Sequence, residues 1–165
     1  MIVWRRRLRS ICLVVFCLTL ILAASGCSEE AAPSGSPQNE DQPASLDPSL
    51  ERGIFGLINE ARADGGLQPL ARESTMDALA LQHSRDMETA NRLSHDGFEA
   101  RASDITGKLG AHTVGENVAV GYGTAQAFVD GWLGSKGHRD NIMNPSYRRT
   151  GIGCHEGYAT QIFCD

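Results

Sequence analysis

The 165-residue chain carries 20 acidic against 15 basic side chains, and four of the basic ones, Arg5, Arg6, Arg7 and Arg9, lie close to its start. Without those four, 11 basic residues face 20 acidic ones and the charge falls to about −9. So acidic a balance, with no basic stripe, excludes nucleic acid as a partner and excludes electrostatic docking on anionic lipid.

After the arginines, residues 11–24 form 14 positions without a charge. A basic segment followed by an apolar run of about 7–15 residues is the pattern of an export leader, and it is shorter than the roughly 18 that a membrane-spanning helix needs. Residues 1–26 are therefore read as a signal peptide. The small residues Ala24, Ser25 and Gly26 run into Cys27, and this junction resembles the lipobox of bacterial lipoproteins. That resemblance implies cleavage before Cys27, a diacylglyceryl group on its sulfur and an extracytoplasmic protein held to a bacterial membrane by its lipid. The alternative is an ordinary secreted protein cut at the same place, with Cys27 left as a thiol. Cysteine parity favours the lipid: the leader removes Cys12 and Cys17, and a lipidated Cys27 leaves Cys154 and Cys164 to pair.

Residues 28–47 contain three prolines, five carboxylates and no aromatic or basic residue. Such a composition buries too little apolar area to offset its ordering entropy, so the segment is expected to be a disordered tether. The remaining residues, 48–165, fit one domain with one core.

Asp47 and Pro48 announce a helix as cap and first residue, and Leu50, Ile54, Leu57, Ile58 and Ala61 recur at helical spacing before Gly65 and Gly66 end it. A second helix is expected from Ser74, with Asp77 completing a capping box and Met76, Leu79, Ala80, His83, Met87 and Ala90 on its inner stripe. On that stripe His83 reads as a hydrogen-bonded core or rim residue. Residues 91–110 read as a polar stretch, in which His95 stands between Ser94 and Asp96. Asn117 to Val120 read as a short buried strand with Glu116 at its mouth, and Thr124 as the cap of a third helix whose Phe128 and Trp132 are core. His138 follows among Lys136, Gly137, Arg139 and Asp140, a setting too polar for a packing position. Arg139 is expected to fork onto a carboxylate and Asn141 to cap the next turn, both holding His138 toward a cleft. The end of the chain alternates like a hairpin, which would place Cys154 opposite Cys164 for a disulfide worth roughly 2–3 kcal/mol.

Taken in order, LINEARADGGLQPL, HSRDMETANRLSHDGFEAR, GENVAVGYGTAQAFVDGWLGSKGHRDNIMNP, GIGC and YATQIF resemble the CAP superfamily, or SCP domain, of cysteine-rich secretory, antigen 5 and pathogenesis-related proteins. The compact, insertion-free form is similar to the bacterial branch. The resemblance implies an α+β fold, a three-layer α-β-α sandwich with an antiparallel sheet flanked by helices. It also implies a cleft lined by two histidines and two acids, seen in many members to hold a divalent metal. The matching positions are His95, Glu116 and His138. Where other members carry a glutamate three residues after the tryptophan, this chain has Ser135.

Two imidazoles and a carboxylate suit Zn²⁺ with one open position, so His95, Glu116 and His138 are candidate metal ligands and candidate catalytic residues of a metal-assisted, peptidase-like hydrolase. Ser94 and Ser135 are near the histidines in sequence, but neither sits in a nucleophile elbow. The other reading is a cleft of His95, Glu116, Ser135 and His138 that binds a peptide or a glycan of the cell envelope, or a lipid as the resemblance implies, without reacting. The sequence favours this binding module and keeps the hydrolase as its alternative.

Overall fold

The computed structural model describes residues 48–165. The leader, Cys27, the 28–47 segment and the Asp47 cap lie outside the described residues. In chain order the elements are α1 (Pro48–Asp64), β1 (Ala71–Arg72), α2 (Ser74–Thr89), α3 (Phe98–Leu109), β2 (Val114–Val120), α4 (Ala125–Gly134), α5 (Lys136–Ile142), β3 (Arg149–His155) and β4 (Tyr158–Cys164). Among the described residues no helix is long and apolar enough to cross a membrane.

The strands form one sheet in the order β1-β3-β4-β2. β2, β4 and β3 are antiparallel, as expected, but the two-residue β1 runs parallel to β3. The sheet is therefore mixed. Alternation along each strand divides the core between two faces. Ala159 and Phe163 of β4 pack with Ile54 and Ile58 of α1, Phe128 and Trp132 of α4 and Ile142 of α5. Ile162 and Cys164, at the intervening positions of β4, pack with Met76 and Ala80 of α2 and Ile105 of α3, and Met87 meets Val118 and Tyr158. Helices thus cover both faces, giving the three-layer α-β-α sandwich.

Several local expectations are corrected. Residues 91–110 hold the α3 helix, whose Gly97 and Gly110 ends both lie in the left-handed region. α2 is capped by Glu73, whose side chain accepts from Thr75 N. Asp77 is drawn away from the capping box, because its Oδ1 accepts from Ile152 N at 2.8 Å and Arg72 Nε at 2.6 Å. Ala90 lies beyond the last turn of α2 and is exposed. The segment around His138 is helix α5.

The disulfide is also overturned. β3 and β4 turn at Glu156 and Gly157, both at positive φ, and the register pairs Cys154 with Ala159 and Cys164 with Arg149. The cysteines are five residues out of register, roughly 17 Å along the strands, against a reach of about 7 Å between Cα atoms. They also pack in the cores of opposite faces. A turn centred near residue 159 would have joined them; the observed turn lies closer to Cys154.

Arg62, fully buried in the last turn of α1, ties the chain after α5 in place. Its Nη1 donates to Ile142 O at 2.7 Å and Asn144 O at 3.0 Å, its Nη2 to Tyr147 O at 3.2 Å and its Nε to Gln68 O at 3.0 Å. Burial, and then repulsion from Arg148, holds its pKa below the ordinary value. The α1 helix closes just beyond it with Leu67 N donating to Arg62 O at 2.9 Å and Gly66 at φ 72°, a Schellman turn that favours glycine at the left-handed position.

Candidate functional site

β2 is an outer strand, and its odd and even residues serve opposite faces. Glu116 points to the α2/α3 face, where its carboxylate is 1% exposed. Burying that charge alone would cost several kcal/mol. Arg101 of α3 meets it as a fork, Nε to Oε2 at 2.8 Å and Nη2 to Oε1 at 2.9 Å. The same guanidinium donates from Nη1 to Asp96 O at 2.8 Å, so one arginine holds both the carboxylate and the loop that carries His95.

His95 Nδ1 lies 2.9 Å from Glu116 Oε1. The carboxylate only accepts, so Nδ1 carries a proton, and in the neutral ring Nε2 is the lone-pair acceptor. The ring is about half exposed. His83 Nε2 donates to Ser94 O at 2.8 Å and stands 3.9 Å from Glu116 Oε1. It is a buried, hydrogen-bonded rim residue that fixes the backbone just before His95.

On the opposite face, Asn117 Nδ2 donates to His138 O at 3.1 Å, and Asn141 Nδ2 donates to Glu116 O at 3.2 Å and Asn117 Oδ1 at 2.9 Å. These bonds stitch α5 to β2 and set His138 at the strand edge. A Cβ at Gly115 would come within 2.4 Å of Tyr147 Oη and 3.1 Å of Asn141 Oδ1, so this close approach requires glycine. Asn141 therefore acts on β2 rather than as a turn cap; Asn144 Oδ1 accepts from Ser146 N at 2.9 Å and takes that part. Nor does Arg139 fork onto a carboxylate: its Nη1 donates to Leu133 O at 2.8 Å. That fork belongs to Arg101.

His138 and Ser135 line a groove of about 240 Å³ with Leu93, Val118, Val120, Tyr122 and Trp132. Burial first, and the nearby His95 second, keep the His138 ring below its ordinary pKa, so it is neutral at pH 7. The structure thus joins His95 directly to Glu116 and places His138 and Ser135 together in the groove. Neither His95 nor Glu116 is among the residues that line it. Among the described residues neither Ser94 nor Ser135 has its hydroxyl bonded to an imidazole.

A zinc centre on His95, Glu116 and His138 does not fit this arrangement. Both oxygens of Glu116 are held by Arg101 and one also by His95, and Ser135 supplies no anion. Among the described residues no group of three or more His, Cys, Asp or Glu side chains is placed to hold a metal ion.

The profile of the cysteine-rich secretory protein family, CAP, matches residues 55–164. The chain belongs to this family. It is 34% identical over 118 residues to the uncharacterized membrane protein YlbC of Bacillus subtilis and 33% identical over 108 residues to the uncharacterized protein YkwD of the same organism. Those stretches cover 68% and 64% of this chain but only 34% and 42% of the relatives. An extracellular protein containing a SCP domain from Bacillus anthracis superposes with a TM-score of 0.66 at 33% identity, over 70% of this chain and 40% of that one. An outer surface protein of Borrelia burgdorferi has a similar fold at 16% identity and a TM-score of 0.64, over 72% of this chain and 93% of that one.

Sequence reasoning missed Arg101, and it read His83 as a hydrogen-bonded core or rim residue without naming its Ser94 and Glu116 partners. Phe98, Arg101 and Ile105 fall at i, i+3 and i+7, and Gly110 follows Lys108, so a helix with an arginine on its apolar face was readable. Its carboxylate partner, 15 residues away, was not.

Proposed function

We propose that this protein is an extracytoplasmic CAP-domain lipoprotein, anchored through Cys27 and carried on the 28–47 tether, whose groove at the β2 edge binds a cell-envelope ligand without chemical turnover. The observation that carries this reading is the placement of apolar surface. Among the described residues the exposed large hydrophobic side chains are Leu93, Val120 and Tyr122, and all three border the same groove as His138. Apolar residues gathered around a concave site with a few polar groups are the signature of a binding surface. Placement outside the cytoplasm draws support from the export leader and from the extracellular Bacillus anthracis protein at 33% identity.

The test is calorimetric titration of the full chain in lipid nanodiscs with peptides, peptidoglycan fragments and palmitate, alongside Leu93→Ser and His138→Ala. Saturable binding that weakens in Leu93→Ser, without ligand breakdown, is expected. Turnover that disappears in His138→Ala while capture persists would replace the reading with an enzyme.

One observation favours a hydrolase as second reading. Glu116 orients His95 with Nε2 as the exposed acceptor, the geometry of a general base. Here the base would act on a water directly, and loss of hydrolysis in His95→Ala with ligand capture retained is its test.

A further inference from the structure

The two edges of the sheet are finished differently. Beyond the short β1, the edge of β3 is closed by side chains: Ile152 N donates to Asp77 Oδ1 at 2.8 Å, Cys154 N to Glu51 Oε1 at 3.0 Å, and Arg72 Nη2 to Ile152 O at 3.0 Å. An open edge recruits other strands, and charged side chains placed on it prevent that.

β2 is closed only in part. In an antiparallel ladder alternate residues turn both backbone groups toward the partner. Gly121 N donates to Gly157 O at 3.0 Å and Glu116 O accepts from Asn141 on the far side. Odd positions therefore face β4, and Val118 and Val120 face outward. Asn141 covers the Glu116 carbonyl, but among the described residues no side chain or loop bonds the outward groups of Val118 and Val120. Both residues border the groove. Trp132, a groove wall only 1% exposed, has its Nε1–H without an acceptor.

A row of strand-edge peptide groups, a buried indole donor and apolar walls call for an occupant that alternately donates and accepts hydrogen bonds along its length. An extended peptide does so; an acyl chain would leave every one of these groups unpaired. At about 240 Å³ the cavity lies below the roughly 300–1,000 Å³ of drug-sized sites, which suits one side chain with its flanking peptide groups.

We propose that the groove, taken as the binding site assigned above, receives an extended peptide that adds to the four-stranded sheet beside β2, hydrogen-bonded at Val118 and Val120, with an apolar side chain lodged among Leu93, Tyr122 and Trp132. The peptide source is a protein or peptide partner outside the cytoplasm.

The experiment is residue-resolved amide hydrogen exchange on the full chain in lipid nanodiscs, with a blocked hexapeptide of alternating valine and threonine as probe. Its counterpart methylated on alternate amide nitrogens serves as control, and palmitate as a second probe. The plain peptide should slow exchange at Val118 and Val120 by at least about tenfold at saturation. The methylated peptide should bind about tenfold or more weakly, since it keeps the side chains and loses the donors. Val120→Pro removes an outward N–H that no neighbouring strand uses and should weaken the plain peptide comparably. The methylated control holds whether or not that variant folds.

Equal affinity of the two peptides, or unchanged exchange at both valines, overturns the strand inference. If palmitate or a peptidoglycan fragment protects the groove and the peptide does not, the inference fails and the binding reading stands. If none of them binds, both fail. Protection of both valines without probe, lost on dilution, assigns the edge to a second copy of the chain and overturns the peptide.

Discussion

Glu116 and Arg101 show how a buried ion pair can matter more for position than for stability. Replaced together by apolar groups such a pair is often neutral, whereas removing one partner strands a charge. Arg101→Met should therefore destabilise the fold by about 3–5 kcal/mol in urea denaturation, and adding Glu116→Gln should recover much of that loss in a double-mutant cycle. His95 should lose its fixed tautomer only where Glu116 becomes glutamine, whose amide can donate as well as accept. His138 makes a second prediction. Its folded pKa lies below its ordinary value, through burial and then His95, so the unfolded chain takes up a proton first as pH falls through about 6.5. Stability is intact above that value and falls as pH drops toward the lowered folded pKa. Denaturation midpoints at pH 7.5 and pH 5 should differ less in His138→Gln than in the parent.

At the scale of elements, the contact between α2 and β3 is the closest in the sandwich. A Cβ on Gly151 would stand 2.2 Å from the Met76 carbonyl carbon, and one on Gly153 2.1 Å from Leu81 N. Helix backbone cannot swing aside as a side chain can. Ser84 Oγ also donates to Gly153 O at 2.8 Å, which pins the helix at that distance. Gly153→Ala should thus cost at least about 1–3 kcal/mol, the range for overpacking, read as a lowered urea midpoint. The GIGC phrase was legible as a strand, but not as a strand whose glycines admit a helix. The α1, α2 and α4 helices were legible because their apolar residues recur at 3.6-residue spacing between clear stop signals. α3 was not, because its buried face is built around an arginine and reads as polar without its carboxylate partner.

Across the whole molecule, the absence of a Cys154–Cys164 bridge means that stability rests on packing and on buried polar ties such as Arg62. The peptide spanning residues 150–165, released from the unreduced chain, should therefore lack an internal Cys154–Cys164 bond, read as a mass that does not fall by two hydrogens. Finding that bond would refute the observed β3–β4 register.

The sequence by itself determined the family, most helices and the candidate residues His95, Glu116 and His138, because periodicity, capping and ordered motifs are local signals. Only the tertiary structure decided what those residues can do. Whether Glu116 ligates a metal or is consumed by Arg101, whether two cysteines meet, and which edge of the sheet is left open all depend on contacts between distant segments. Turn position and strand register set those contacts, and a shift of one residue reverses the face on which a side chain lands.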